Sequence, residues 1–176
     1  MLYLLGADET ELPGAGKSFV VYQGHHGDRG AHRADVILPG AAYTEKSVTY
    51  VNTEGRAQKT ERCVFPPGEA KEDWAILRAL SAKAGKTLPY DTLAALRAAM
   101  YKAAPSLARL NAVQAAPRDG VETLAKVTGS VGGEAFASPI RDFYLTNPIA
   151  RASAVMAEMS ALKKAAQGSP RLKAAE

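Results

Sequence analysis

Short apolar runs separated by turn residues dominate the N-terminal part of the chain. Leu2, Tyr3, Leu4 and Leu5 precede Gly6. Phe19, Val20, Val21 and Tyr22 precede a loop rich in glycine and histidine, and Val36, Ile37 and Leu38 stop at Pro39-Gly40. Runs this short, bounded by glycine and proline, predict strands rather than helices. Pro39 has no N–H to give to a ladder, so the third strand ends there, and Gly40 permits a sharp turn. A short turn or helix at residues 31–34 leads into that strand. Three apolar strands joined by polar crossovers predict buried, parallel strands in an α/β layer.

Weak alternation over residues 48–52 and 57–64 predicts a hairpin turning at Thr53, Glu54 and Gly55. Pro66-Pro67-Gly68 closes it. A helix follows with Glu69, Glu72 and Asp73 near its positive end, an apolar face of Trp74, Ile76, Leu77, Leu80 and Ala84, and Gly85 as its stop. A second helix starts at a cap supplied by Asp91 or Thr92, carries Leu93, Leu96 and Met100 at helical spacing, and ends before Pro105. Residues 113–139 are rich in Ala, Gly and Pro and read as a flexible linker, with room for one short helix at 122–127. One last helix is expected to begin at an Asn147 cap with Pro148 in its first turn. Its apolar stripe of Val155, Met156, Met159 and Leu162 ends before Gly168, and residues 169–176 form a disordered tail. The expected division is therefore a domain at 1–112, a linker at 113–139 and a C-terminal helix and tail at 140–176.

Composition narrows the function classes. The chain has 176 residues, 47% hydrophobic and 23% charged, with a formal net charge of +4. That balance is ordinary for a soluble domain, and folding at this length buries about 70% of the unfolded surface. The basic excess is small and scattered, which argues against a nucleic-acid partner. Cys63 is the only cysteine, so no internal disulfide is possible. An iron–sulfur cluster or thiolate zinc site cannot be assembled from this chain alone. No apolar run reaches the roughly 18 residues of a spanning helix, and the first residues lack the basic region of a secretory signal. An intracellular protein without direct membrane insertion is expected.

Candidate chemistry is sparse. Gly14-Ala15-Gly16-Lys17-Ser18 has the flavour of a phosphate loop, but Glu11 stands where the first glycine is needed and a strand follows where a helix should begin. His25, His26 and His32 with Asp28 form the one metal-like cluster, yet adjacent histidines do not converge as three ligands with supporting partners do. The imidazoles are expected to hydrogen-bond to backbone in their loop. No nucleophile–base arrangement stands out, so no catalytic residue is assigned.

The stretch from Ala34 to Gln58 is denser in polar groups than its surroundings. Ala34-Asp35-Val36-Ile37-Leu38-Pro39, Glu45, Thr49, Asn52, Glu54-Gly55-Arg56 and Gln58 resemble the pattern of the molybdopterin oxidoreductase superfamily, with Val48 where that pattern has glycine. The longer run from Val21, with Gln23-Gly24-His25-His26-Gly27-Asp28 and Gly40 to Lys46, is similar to the family of the large iron–sulfur G subunit of respiratory complex I. The likeness continues through Pro66-Pro67-Gly68, Glu72-Asp73-Trp74 and Thr87 to Leu93. It is close over residues 1–104, fades after about Leu110, and returns at Asp142-Phe143-Tyr144 and Arg151-Ala152-Ser153.

The resemblance implies a partial Rossmann-like, parallel-sheet α/β domain of molybdopterin-oxidoreductase type with C-terminal helices. It implies a non-catalytic structural part of a complex that passes electrons from NADH to quinone, coupled to proton translocation. It also implies that the clusters of the parent subunit are bound by residues absent here. The expected partners are the remainder of the G subunit and other peripheral-arm subunits. The expected location is peripheral, on the cytoplasmic side of a bacterial inner membrane or the mitochondrial matrix side. Glu45, Thr49, Asn52, Glu54, Gly55 and Arg56 then form a structural motif: Arg56 pairs with Glu45 or Glu54, and Asn52 and Thr49 satisfy buried backbone groups. The alternative is a pterin-cofactor-binding portion of a molybdopterin oxidoreductase, with His25, His26, Asn52 and Arg56 as contacts at the carboxyl ends of the strands. A chain that opens inside a strand is further expected to be a fragment, to leave the apolar face around residues 19–22 and 36–38 uncovered, and to self-associate.

Overall fold

A computed structural model describes residues 1–9, 16–113, 115 and 117–168. The expected tail at 169–176, and Glu11, Gly14 and Ala15 of the phosphate-loop-like segment, lie outside the described residues. The chain divides into two compact units, Met1–Ile37 with Glu134–Glu176, and Leu38–Gly133. These boundaries differ from the expected 1–112, 113–139 and 140–176: the C-terminal segment groups with the N-terminal residues, to which Arg151 is joined through Glu9 and Asp28.

In the first unit, β1 (Leu2–Leu5) and β2 (Val20–Gly24) pair in parallel, with Leu2 opposite Val20 and Leu5 opposite Gln23. β3 (Val36–Pro39), of which Val36 and Ile37 belong to this unit, lies on the other side of β2. The parallel α/β expectation therefore holds. Leu4, Val20, Tyr22 and Ala31 form the core, with Leu2, Ala7 and Ala34 packed against it. The expectation of buried strands needs correction at β3. Val36 and Ile37 are exposed, as is Phe19, whereas Val20, Val21 and Tyr22 are buried. Successive strand residues project from opposite faces of a sheet, so the exposure of both Val36 and Ile37 shows that β3 is open on each face at this point.

The C-terminal segment of this unit forms two helices where one was expected. α4 (Pro148–Ala152) is capped by Asn147, whose side chain accepts from the Ala150 N–H at 2.9 Å. Ser153 then adopts an extended backbone, and its Oγ accepts from the Met156 N–H at 3.3 Å to start α5 (Ala154–Gly168). A serine that caps in this way interrupts a helix that apolar spacing alone would continue. The expected apolar stripe is also displaced. Val155, Met159 and Leu162 are exposed, and the buried position is Ser160. A 3₁₀ turn at Phe143–Leu145 packs against both helices.

In the second unit, β4 (Thr49–Val51) and β5 (Ala57–Lys59) make the expected antiparallel hairpin, with Val51 opposite Ala57. α1 (Asp73–Lys83) stops at Gly85, which has φ of 75°. The Lys86 N–H donates to Ser81 O at 3.0 Å and the Gly85 N–H to Ala82 O at 3.2 Å, the pair of bonds that closes a helix through a left-handed residue. α2 (Leu93–Ala103) is capped by Thr92, whose Oγ1 accepts from the Ala95 N–H at 3.1 Å. α3 (Arg118–Ala125) falls inside the expected linker, four residues ahead of the short helix anticipated at 122.

Candidate functional site

The polar stretch that stood out in the sequence is built around one turn. Asn52 follows β4, and its Oδ1 accepts from the N–H groups of Glu54 at 3.1 Å and Arg56 at 3.0 Å. Gly55 takes φ of 79°, a conformation that a side chain at this position would strain. Its N–H reaches Asn52 O at 2.9 Å. The Arg56 guanidinium folds back on Glu54 Oε2 through Nη2 at 3.1 Å and Nε at 3.3 Å, and its Nη1 donates to Asn111 O at 2.8 Å. Of the two carboxylates offered to Arg56 by the sequence, Glu54 is the partner. Glu45 instead accepts from the Ala42 N–H at 2.9 Å and steadies the turn after Gly40.

Two expectations fail here. Asn52 satisfies N–H groups of an exposed turn rather than buried ones. Thr49 Oγ1 is buried without a hydrogen-bond partner among the described residues. The pair between Arg56 and Glu54 is also a surface pair, with side chains 34% and 59% exposed.

His25 and His26 sit in the loop after β2. Their rings meet edge to face, Nδ1 to Nδ1 at 2.5 Å, and both are exposed. This ring–ring contact was not anticipated by the sequence. Two of the loop's glycines, Gly24 and Gly30, make room for Tyr22. A Cβ on Gly24 would collide with the Tyr22 hydroxyl, and one on Gly30 would lie 2.7 Å from its ring. Tyr22 donates to Asp8 Oδ2 at 3.0 Å, and Asp8 Oδ1 accepts from the Gly30 N–H at 2.9 Å. Burial first, then the hydrogen bond and charge of Asp8, pushes the Tyr22 hydroxyl above its ordinary value. His25 and His26 belong to the first unit, Asn52 and Arg56 to the second. Among the described residues, no three His, Cys, Asp or Glu side chains converge as a metal site. Cys63 is exposed and free.

The side chains that sequence reasoning undervalued are ionic anchors. Arg151 donates from Nε to Asp28 Oδ2 at 2.5 Å, from Nη2 to Glu9 Oε1 at 2.5 Å, and from Nη1 to Leu145 O at 3.1 Å. Burial opposes its charge, but the bonds to Glu9 and Asp28 hold the guanidinium above its ordinary pKa. Asp142 accepts from Ser160 Oγ at 2.5 Å, Lys164 Nζ at 3.1 Å and the Tyr144 N–H at 3.1 Å. Asp142 and Arg151 open the two short segments at which the family likeness returns. That return was the available signal. In the second unit, a cleft of about 680 Å³ places Arg62 over the Phe65 ring at 4.4 Å, with Trp74 Nε1 donating to Glu72 at 2.7 Å.

Comparison with known proteins agrees with the sequence motifs and extends them. A family model for molybdopterin oxidoreductase matches residues 1–83. A second, for the C-terminal region of the NADH-ubiquinone oxidoreductase G subunit, matches residues 109–159. The 75 kDa subunit of NADH-ubiquinone oxidoreductase from Reclinomonas americana is 46% identical over 163 residues, which cover 93% of this chain and 23% of that protein. The mitochondrial 78 kDa subunit from Neurospora crassa is 46% identical over 175 residues, covering 97% and 23%. The mitochondrial NADH dehydrogenase [ubiquinone] iron-sulfur protein 1 of Solanum tuberosum is 46% identical over 164 residues, covering 93% and 22%. The chain thus spans less than a quarter of the length of these relatives, and the likeness runs well past residue 104, where motifs alone had thinned. With one model over β1 to α1 and the other from Arg109 into α5, the chain matches the G-subunit family of NADH-ubiquinone oxidoreductase and the molybdopterin oxidoreductase superfamily.

Proposed function

We propose that the chain is a structural, non-catalytic part of the G subunit of NADH-quinone oxidoreductase, respiratory complex I. The parent complex passes electrons from NADH to quinone and couples that transfer to proton translocation. The observation that carries this reading is the double family match, over residues 1–83 and 109–159. The geometry fits it. Glu45, Asn52, Glu54 and Arg56 are engaged by their own turns and by one another, as a folding motif requires. In this role the chain holds no cofactor, and the iron–sulfur clusters are bound by other parts of the parent protein. Its partners are the remainder of the G subunit and neighbouring peripheral-arm subunits. No described helix is long and apolar enough to cross a membrane, which suits a peripheral position on the cytoplasmic or mitochondrial matrix side.

An affinity tag on the chain, expressed in its own cells, tests the reading. Native electrophoresis should show the tagged chain migrating with NADH dehydrogenase activity, and metal analysis of the chain purified alone should find neither stoichiometric iron nor molybdenum. Migration apart from that activity would reject the complex I assignment. Bound molybdenum and pterin would instead establish the cofactor-binding role, with His25, His26, Asn52 and Arg56 as its first candidates.

A further inference from the structure

In the first unit a cleft of about 610 Å³ is lined by four cationic side chains, Arg29, Arg141, Arg151 and Lys164, and two anionic ones, Glu9 and Asp142. The two acids are already matched, Glu9 with Arg151 at 2.5 Å and Asp142 with Lys164 at 3.1 Å. Arg151 is further fixed by Asp28. Two cations remain. Neither Arg29 nor Arg141 has an ion pair or side-chain hydrogen bond among the described residues, and both are exposed. Apolar surface adjoins them, since Ile140 is 55% exposed and Leu145 and Pro139 also line the cleft.

We propose that this cleft docks an acidic peptide segment of a protein partner, with carboxylates on Arg29 and Arg141 and a neighbouring aliphatic side chain against Ile140. Guanidinium forks bind carboxylates with two parallel hydrogen bonds. Arginine anchors beside apolar contacts are the usual composition of a protein interface core. The anchored Arg151 gives the cleft a fixed wall, so less ordering is needed on binding. A small inorganic anion would use the two arginines but leave Ile140 uncovered, and that favours a peptide. The cleft belongs to this chain alone and does not depend on the identity of the parent complex.

Fluorescence anisotropy on the full chain tests the proposal. The probe is a short, capped, labelled peptide of alternating leucine and glutamate. Its glutamine counterpart and inorganic phosphate serve as competitors. The glutamate peptide should bind, weaken as salt is raised, and lose about tenfold or more in affinity with Arg29→Gln or Arg141→Gln. The double charge reversal, Arg29→Glu with Arg141→Glu, should abolish binding while the circular dichroism spectrum is unchanged. Arg118→Glu, on α3, should leave it intact. Absence of binding, equal displacement by the glutamine peptide, or indifference to the arginine substitutions would overturn the proposal. Displacement by phosphate at near-stoichiometric concentration would overturn it too, and would mark a site for small anions.

Discussion

Arg151 Nε meets Asp28 Oδ2 at 2.5 Å across 123 residues of sequence, with both side chains largely shielded from water, 14% and 13% exposed. Asp28 belongs to the loop after β2, and Arg151 to α4. The pair, with the Glu9 contact beside it, ties the C-terminal helices to the first strands. It accords with the grouping of the segment from Glu134 onward with Met1–Ile37.

Arg151→Ala should therefore destabilise the chain by about 3 kcal/mol, because it strands a shielded carboxylate and removes two bonds from Glu9 and Leu145. Arg151→Lys should recover little, since a single ammonium cannot serve three acceptors held in a fork. Urea titration reads both effects as a lowered midpoint. An unchanged midpoint for Arg151→Ala would show that the C-terminal segment is held by other contacts.

Gly30 offers a separate test of packing. Its φ of −62° is ordinary for any residue, so it is required for space. A methyl there would lie 2.7 Å from the Tyr22 ring and 3.0 Å from Asp8 Oδ1. Gly30→Ala should cost about 1–3 kcal/mol through overpacking. Gly120→Ala is the control. Gly120 lies in α3 with nothing within 4 Å of its missing Cβ, and alanine there should raise helix stability by up to about 1 kcal/mol. Thermal melts with equal shifts for the two variants would mean that Tyr22 yields freely.

The contrast between these sites and the secondary structure shows what the sequence carries. The strands were legible because Leu2–Leu5, Val20–Gly24 and Val36–Pro39 are short apolar runs closed by glycine or proline. Gly85 and Thr92 marked helix ends through chemistry confined to one turn. What escaped were choices between competing partners, near and far. Ser153 is helix-compatible until its hydroxyl caps α5, and Ser160 reads as an exposed polar residue until Asp142 claims it. The exposure of β3 depends on what covers each face of the sheet, which spacing does not encode.

Arg56 separates a surface motif from a buried one. Its pair with Glu54 is exposed, and among the described residues its bond to Asn111 O is its one reach beyond the turn. Arg56→Ala should lower stability by at most about 1 kcal/mol, the range of an exposed ion pair. Asn52→Ala should cost about as much as a lost helix cap, roughly 1 kcal/mol, since two N–H groups lose their acceptor. Chemical denaturation comparing the two variants decides the case. A loss of several kcal/mol for Arg56→Ala would mean that the guanidinium is shielded in solution and bears on the core.

The last prediction concerns acid. The Ser160 hydrogen bond first, then those of Lys164 and the Tyr144 N–H, hold the Asp142 carboxyl below its ordinary value. A carboxylate with a lowered folded-state pKa favours the folded form at pH above its unfolded value, about 3.9. That contribution is lost as pH falls through the lower folded value. The anchor between the 3₁₀ turn at Phe143–Leu145 and α5 should thus persist through mildly acidic solution and release only below the ordinary carboxylate range. Carbon-13 detection of the Asp142 carboxyl should show its midpoint displaced downward, and Ser160→Ala should move it back up, with faster amide exchange in α5. Lys164→Met should move it in the same direction by less, because that lysine is 68% exposed and screened by water. An ordinary midpoint in the unaltered chain, or one indifferent to Ser160→Ala, would detach Asp142 from the end of α5.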